Sequence, residues 1–171
     1  MHIRSALATG LLLLSSLPLH AADNAAVTRL LARWEKSKNY IVELANQMPA
    51  DAYTSRPNPE EMTFGEQIVH IASGNMYITG SLQKPVNSLF DPKKTDKESA
   101  IAAVKASFDS GAAAIGSLSD ADLNNRIVEA EGQKMTALEC IILAFDHVEH
   151  HRGQCIVYLR VKGIKPVDYR F

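Results

Sequence analysis

The spacing of apolar residues along the chain predicts four long amphipathic helices. The first runs from about Asn24 to Gln47, and its apolar residues recur at the spacing of one buried helix face. Asp23 is expected to cap this helix, and Met48-Pro49 ends it. The apolar stripe consists of Val27, Leu30, Leu31, Trp34, Ile41, Leu44 and Met48.

A Thr-x-x-Glu sequence stands at the predicted start of each of three further helices. In this capping box the threonine hydroxyl accepts a hydrogen bond from a free backbone N–H, and the glutamate reaches back to the cap residue. The boxes are Thr63–Glu66, Thr95–Glu98 and Thr136–Glu139. The helices that follow them are predicted at about Phe64–Leu82, Lys97–Leu118 and Ala137–Lys162, with Gly163 as the stop of the last one.

The connections between these helices contain proline or polar residues and are expected to be loops. The connection from Ser119 to Met135 is expected to hold a short helical turn at Asp120–Asn124 and a brief extended piece at Arg126–Glu129. No strand pair is predicted anywhere in the chain. Amphipathic helices of about 20 residues indicate an all-α fold, a four-helix bundle.

The first 22 residues have the composition of a secretory signal peptide. Arg4 supplies a positive charge, and the apolar run from Ala6 to Leu14 is too short to span a bilayer as a helix. Cleavage is expected after Ala21 or Ala22, with an uncleaved membrane anchor as the alternative. The sequence therefore predicts a leader at 1–22, one domain at 23–171, and a periplasmic or secreted location, with no stable membrane span.

The charge argues against nucleic-acid binding, and the positions of the cysteines argue against an intrachain disulfide. The formal net charge is −1, and there is neither a basic run nor an interleaving of aromatic and basic residues, so nucleic-acid binding has no electrostatic support. Cys140 and Cys155 both fall on the last predicted helix, about 22 Å apart at a rise of about 1.5 Å per residue. A disulfide needs Cα atoms within about 7 Å, so two free thiols are predicted.

Four histidines follow the leader, and three of them fall within five residues on the last helix. His147 and His151 are one turn apart and share a face, whereas His150 is rotated by about 60° from His147 and by about 100° from His151. His70 lies among core-facing positions of the second helix. Burying unpaired imidazoles is costly, and a shared metal ion removes that cost.

Three neutral imidazoles with an open position suit zinc, nickel or ferrous iron. His70, His147 and His151 are therefore the candidate metal ligands, and His150 is expected at the rim or in hydrogen-bond contact with the site. The alternative is a purely structural bundle in which these histidines pack without metal.

Three neighbouring residues are candidates for supporting the site. Gln67 precedes His70 by three residues and Gln154 follows His151 by three, so either amide could bind a ligand imidazole or a bound water, and Gln154 could equally satisfy a neighbouring helix. Cys155 could face the site as a reactive thiolate, although a small core residue is the simpler interpretation.

Two segments resemble a known family. Asp146–Gln154, followed by Leu159-Arg160 and Gly163–Pro166, resembles the last helix of DinB-family proteins, and Thr63–Ala72 resembles that family's second helix. The resemblance covers nearly all of residues 24–167. It implies an up-down-down-up four-helix bundle, a three-histidine metal site that maps onto the histidines named above, and frequent homodimers.

The resemblance also bounds the function. Relatives include transferases and isomerases that use low-molecular-weight thiols, and an exported protein departs from those relatives, which work with cytosolic thiols. The expected function is that of a metal-dependent transferase or hydrolase acting on an unidentified small molecule. The alternative is a non-catalytic periplasmic metal-binding or stress-associated protein. It is supported by the lack of a clear general acid or base, since Asp146 and Glu149 are expected to face solvent and Arg152 to pair with an acid at the surface.

Overall fold

Four long helices make up most of the described chain, which comprises residues 24–83 and 87–169 of a computed structural model. They are α1 (Ala25–Gln47), α2 (Phe64–Gly80), α3 (Lys97–Gly116) and α5 (Ala137–Val161), with the short α4 (Asp120–Asn125) between the last two. Helices α1 and α2 each pack against both α3 and α5. The prediction of a mostly helical protein is confirmed, and every predicted helix end lies within two residues of the observed one.

The predicted leader at 1–22 and the predicted cap residue Asp23 lie outside the described residues. Among the residues that are described, no helix combines the length and the apolar character needed to cross a bilayer.

Two of the three predicted capping boxes are confirmed. Thr63 with Glu66 caps α2, and Thr136 with Glu139 caps α5, each with both hydrogen bonds of the box. The third prediction was wrong by one residue, because α3 is capped by Asp96, whose carboxylate accepts a hydrogen bond from the Ser99 amide at 3.0 Å. A carboxylate next to the helix start is the stronger acceptor, and it also complements the helix dipole.

A β-hairpin leads into α5, contrary to the prediction of no strand pair. Strands β1 (Ile127–Ala130) and β2 (Gln133–Thr136) are antiparallel and joined by a two-residue turn. Both turn residues have positive φ, 50° at Glu131 and 70° at Gly132, as in the tight turns that match strand twist. The extended piece expected at Arg126–Glu129 is largely β1, but its partner strand was missed.

Trp34 is the centre of the core. Its ring is fully buried and lies 4.7 Å from the Phe108 ring of α3 and 5.4 Å from the Phe145 ring of α5, measured between centroids. The indole N–H donates a hydrogen bond of 2.9 Å to the backbone carbonyl of Phe108. One side chain therefore joins three helices, and its polar atom is satisfied, as a buried indole requires.

The start of α1 is capped from a distant part of the chain. The backbone amides of Ala26 and Val27 each donate a hydrogen bond of 2.9 Å to the carboxylate of Asp120, at the start of α4. Asn24, the residue in the cap position, makes no side-chain cap bond. These two backbone bonds are the main cause of the lowered pKa of Asp120.

Replacing Asp120 by alanine is expected to lower the melting temperature at neutral pH by roughly 2–4 °C, because α1 loses its cap. A carboxyl group with a lowered folded-state pKa stabilises the fold above its unfolded pKa of about 4, and this contribution disappears as the pH falls through the folded value. Thermal melts of the two proteins should therefore converge in acid. Asp51→Ala, an exposed carboxylate without a cap bond, is the control, and an equal loss in that variant would contradict the assignment.

Candidate metal centre

Three histidines converge between α2 and α5. Each of His70, on α2, and His147 and His151, on α5, offers one ring nitrogen, and these nitrogens all lie within 4.8 Å of one another. His151 is buried, and the other two are half-buried. His150 is exposed and outside this cluster, with its ring edge-on to that of His151 at 4.8 Å between centroids. The structure thus brings together the three residues that the sequence nominated as ligands.

The helical repeat explains this convergence. His147 and His151 are separated by one turn of α5, and their ring centroids are 4.6 Å apart. The ring of His70 reaches them from α2, 5.2 Å from His147 and 4.4 Å from His151. All three rings are carried by regular helices, which hold a site more firmly than loops do.

The spacing of the nitrogens fits a metal ion. The Nε2 atoms of His70 and His147 are 3.4 Å apart. Two nitrogens bound to one tetrahedral ion at about 2.0–2.1 Å are separated by about 3.3–3.4 Å. Apart from this contact His147 has no competing partner, since its buried Nδ1 makes no hydrogen bond within the described residues. The donor set and its geometry therefore fit a divalent ion that accepts imidazole ligands.

Burial keeps the three rings neutral. It lowers the pKa of His147 to about 4 and that of His151 to about 4, with a further contribution from the neighbouring histidine charges. It also lowers the pKa of His70. Neutral imidazole is the form that binds metal, so the lone pairs are present at pH 7 without loss of a proton.

Two glutamines fix the tautomer of His151. Its Nδ1 lies 2.9 Å from Oε1 of Gln67 and 2.7 Å from Oε1 of Gln154. An amide oxygen can only accept, so Nδ1 carries the hydrogen and Nε2 keeps its lone pair. The Gln67 amide also hydrogen-bonds the Tyr158 hydroxyl, which in turn donates to the Met62 carbonyl. Burial raises the pKa of Tyr158, and the hydrogen bond from Gln67 partly opposes this rise.

Gly74 makes room for His147 and was missed in the sequence. A Cβ at position 74 would lie 2.1 Å from Cε1 of the His147 ring and 2.6 Å from each of its nitrogens. Gly74 is one turn beyond His70, so it faces α5 on the same side of α2. A signal was available, because glycine inside a helix costs about 1 kcal/mol relative to alanine and calls for a packing reason.

The two cysteines are not part of the histidine cluster. Both are free, as predicted, and both are buried. Burial raises the pKa of Cys155 to about 12 and that of Cys140 to about 11, so both remain thiols at neutral pH. Cys155 therefore corresponds to the simpler interpretation, a small core residue.

Arg152 was expected at the surface, but it is buried. It is only 7% exposed, pairs with Glu149, and has its guanidinium carbon 4.7 Å from the Tyr40 ring centre and 4.8 Å from that of Tyr169. The predicted pairing with an acid is correct, but the Tyr40 and Tyr169 rings cover the guanidinium. The Glu149 carboxylate is therefore already paired with Arg152, and the Asp146 side chain is exposed to solvent.

A sequence profile of the DinB superfamily matches residues 33–155, a range that contains all three clustered histidines. The chain belongs to the DinB superfamily. Among curated proteins, the uncharacterized protein YjoA of Bacillus subtilis strain 168 is 25% identical over 138 residues, which cover 79% of this chain and 90% of YjoA. The resemblance stated from the sequence is therefore confirmed.

Solved structures show the same DinB fold. A DinB-like protein from Bacillus cereus ATCC 10987 superposes with a TM-score of 0.73 at 17% identity, covering 82% of this chain and 95% of its own. The crystal structure of the DinB-like YjoA from Bacillus subtilis gives a TM-score of 0.68 at 23% identity, with coverage of 82% and 96%.

Proposed function

We propose that this DinB protein is a metal-dependent transferase or hydrolase that acts on a small molecule. The ion is zinc, nickel or ferrous iron, held by His70, His147 and His151 within an up-down-down-up four-helix bundle. The observation that carries the proposal is the separation of 3.4 Å between the Nε2 atoms of His70 and His147. This separation suits two lone pairs bound to one ion, and it also suits an N–H···N hydrogen bond between two tautomers. The third imidazole favours the shared ion, because the two glutamines hold the His151 hydrogen on Nδ1 and leave its Nε2 lone pair for a ligand.

Each contributing residue has a defined task. A divalent ion with three imidazole ligands and an open position supplies a Lewis acid and an activated water or thiol. Burial keeps the three imidazoles unprotonated. Gln67 and Gln154 hold His151 with its Nε2 lone pair available, and Gly74 leaves the space that the His147 ring occupies.

Elemental analysis of the native protein, purified without an affinity tag, tests the metal site. We expect about one divalent ion per chain, and markedly substoichiometric metal would overturn the proposal in favour of histidines packed without an ion. A screen of ester hydrolysis and thiol transfer, with and without chelator, then tests catalysis. Turnover that disappears on chelation and returns with the metal is the expected result.

A second candidate is a non-catalytic exported metal-binding or stress-associated protein. The observation that favours it is the lack of a carboxylate in the three-histidine cluster, within the part of the chain that is described. Of the two acids beside the ligands in sequence, Glu149 pairs with Arg152 and Asp146 is exposed. One bound ion per chain without metal-dependent turnover would select this candidate.

The paired glutamines lead to a prediction of non-additivity. Gln67→Met or Gln154→Met alone leaves one acceptor for the same Nδ1–H of His151, so each single variant should lose little metal affinity. The double variant leaves this N–H unpaired and should bind the metal roughly 10–100-fold more weakly. Competition with a chromogenic chelator measures the affinities.

The control for this prediction is Gln83→Met, which removes an amide just beyond the end of α2, away from the cluster. A double variant with unchanged affinity, or a single variant as weak as the double, would contradict the shared role of the two amides.

Export and assembly are further parts of the proposal. The composition of residues 1–22 supports a cleaved leader and a periplasmic or secreted protein. Amino-terminal sequencing of the protein isolated from periplasm or medium should begin at Ala22 or Asp23, and an intact Met1 would overturn cleavage. Family membership supports a homodimer, which analytical ultracentrifugation of the purified protein tests.

A further inference from the structure

A cationic cavity lies between α1 and α5, on the side of α5 away from the histidine cluster. Its volume is about 470 Å³, and its lining comes from α1 apart from Glu149 of α5. Glu149 is two residues from both His147 and His151, which places it about 200° around the helix from each of them. The cavity is therefore separate from the candidate metal centre and has a size typical of small-molecule sites.

Three positive side chains line this cavity. Arg29, Arg33 and Lys36 follow one another at i, i+4 and i+7 along α1, so they project from a single face. Lys38, on the opposite face of the same helix, behaves differently and pairs with Glu35 and Asp109. Within the described residues, none of the three cavity cations forms an ion pair with an acid.

The carboxylates nearest to these cations are engaged with other partners. Arg33 is held with its guanidinium carbon 4.4 Å from the centre of the Phe145 ring, a contact that orients the group without neutralising it. Arg29 adds a minor contribution to the lowered pKa of Asp120, behind the two backbone hydrogen bonds. The carboxylate of Glu149 lies in the cavity wall, but it is bound to Arg152.

Like charges one turn apart on a helix destabilise it, so an anion bound among these cations would stabilise the protein. Ala32 and Ser37 line the cavity beside them. Their small side chains leave space between the longer cationic ones, and Ser37 adds a hydroxyl donor. The cavity thus combines volume, positive charge and a neutral donor.

We propose that this cavity binds a phosphoryl group. Arg29, Arg33, Lys36 and Ser37 together supply many hydrogen-bond donors. A carboxylate has two oxygens to accept them, whereas a phosphate dianion offers at least three. The group is a phosphate monoester, carried either by a small soluble molecule or by phosphatidic acid, because both present the same group to the cavity.

Calorimetric titration of the full chain with inorganic phosphate, at constant ionic strength, tests the proposal. We expect saturable binding at one site. Arg29→Gln combined with Lys36→Gln should weaken it by about tenfold or more. Ala32→Glu, which keeps every cation and places a carboxylate among them, should weaken it similarly. The matched control is Lys105→Gln with Lys162→Gln, which removes two exposed charges elsewhere and should leave binding unchanged.

Flotation with phosphatidylcholine vesicles, with and without phosphatidic acid, distinguishes the two sources. Flotation that needs phosphatidic acid and is lost in the cavity variants identifies a lipid headgroup, and phosphate binding without flotation identifies a soluble ester. The absence of both saturable phosphate binding and flotation would overturn the proposal. Equal weakening of phosphate binding in the control variant would overturn it as well. Metal content measured on the same variants should be unchanged, so the outcome is independent of the proposed metal chemistry.

Discussion

His147→Ala is expected to abolish stoichiometric metal binding while the protein stays folded. The substitution removes one of three nitrogen ligands, and the remaining two histidines cannot complete the set. His147 makes no hydrogen bond through Nδ1 that the fold depends on, and its ring is only half-buried. Metal content by mass spectrometry, together with helicity by circular dichroism, measures the two parts of this expectation.

His150→Ala is the matched control for this experiment. It removes an imidazole from the same helix, directly before the ligand His151, but from an exposed position outside the cluster. We expect it to retain about one ion per chain. Equal metal loss in both variants, or full retention in His147→Ala, would contradict the ligand assignment.

Gly74→Ala is expected to reduce metal affinity on the order of 100-fold, although it changes no ligand. The added methyl would lie 2.1 Å from Cε1 of His147, so the ring must leave the position in which it faces His70. An effect at least as large as that of removing a hydrogen-bond partner of a ligand is therefore expected. A chelator competition assay on the purified variant gives the affinity.

The fold should tolerate this substitution, which makes the effect specific. Overpacking lowers the free energy of unfolding by about 1–3 kcal/mol, and replacing a glycine inside a helix by alanine raises it by about 1 kcal/mol. Gly80→Ala is the control, because it adds the same methyl at the end of α2 where nothing lies within 4 Å. Wild-type affinity in Gly74→Ala would show that His147 can bind from another rotamer and that Gly74 is not required.

The long helices were predictable because their signals are local. A capping threonine with its glutamate, and apolar residues at helical spacing, depend on neighbours within one or two turns. The pairing of His147 with His151 is local in the same sense. Their meeting with His70 depends on how α2 packs against α5, and the sequence indicated it only through core-facing positions and the family resemblance.

The features that were missed depend on contacts between distant residues. The space beside Gly74 exists only because His147, on another helix, fills it. Arg152 is buried because Tyr169 returns from the C-terminal segment to cover it. The hairpin was missed for a different reason, since its strands are only four residues long, too short for alternation to distinguish them from loop.

The bond between the start of α1 and Asp120 bears on how an exported form of this protein would be processed. The acceptor for the Ala26 amide lies 94 residues further along the chain, so it would remain in place after removal of residues 1–22. A new amino-terminal ammonium beside this turn would oppose the helix dipole, and the Asp120 carboxylate would offset it. If residues 1–22 are cleaved as proposed, the first turn of α1 therefore keeps its acceptor in Asp120.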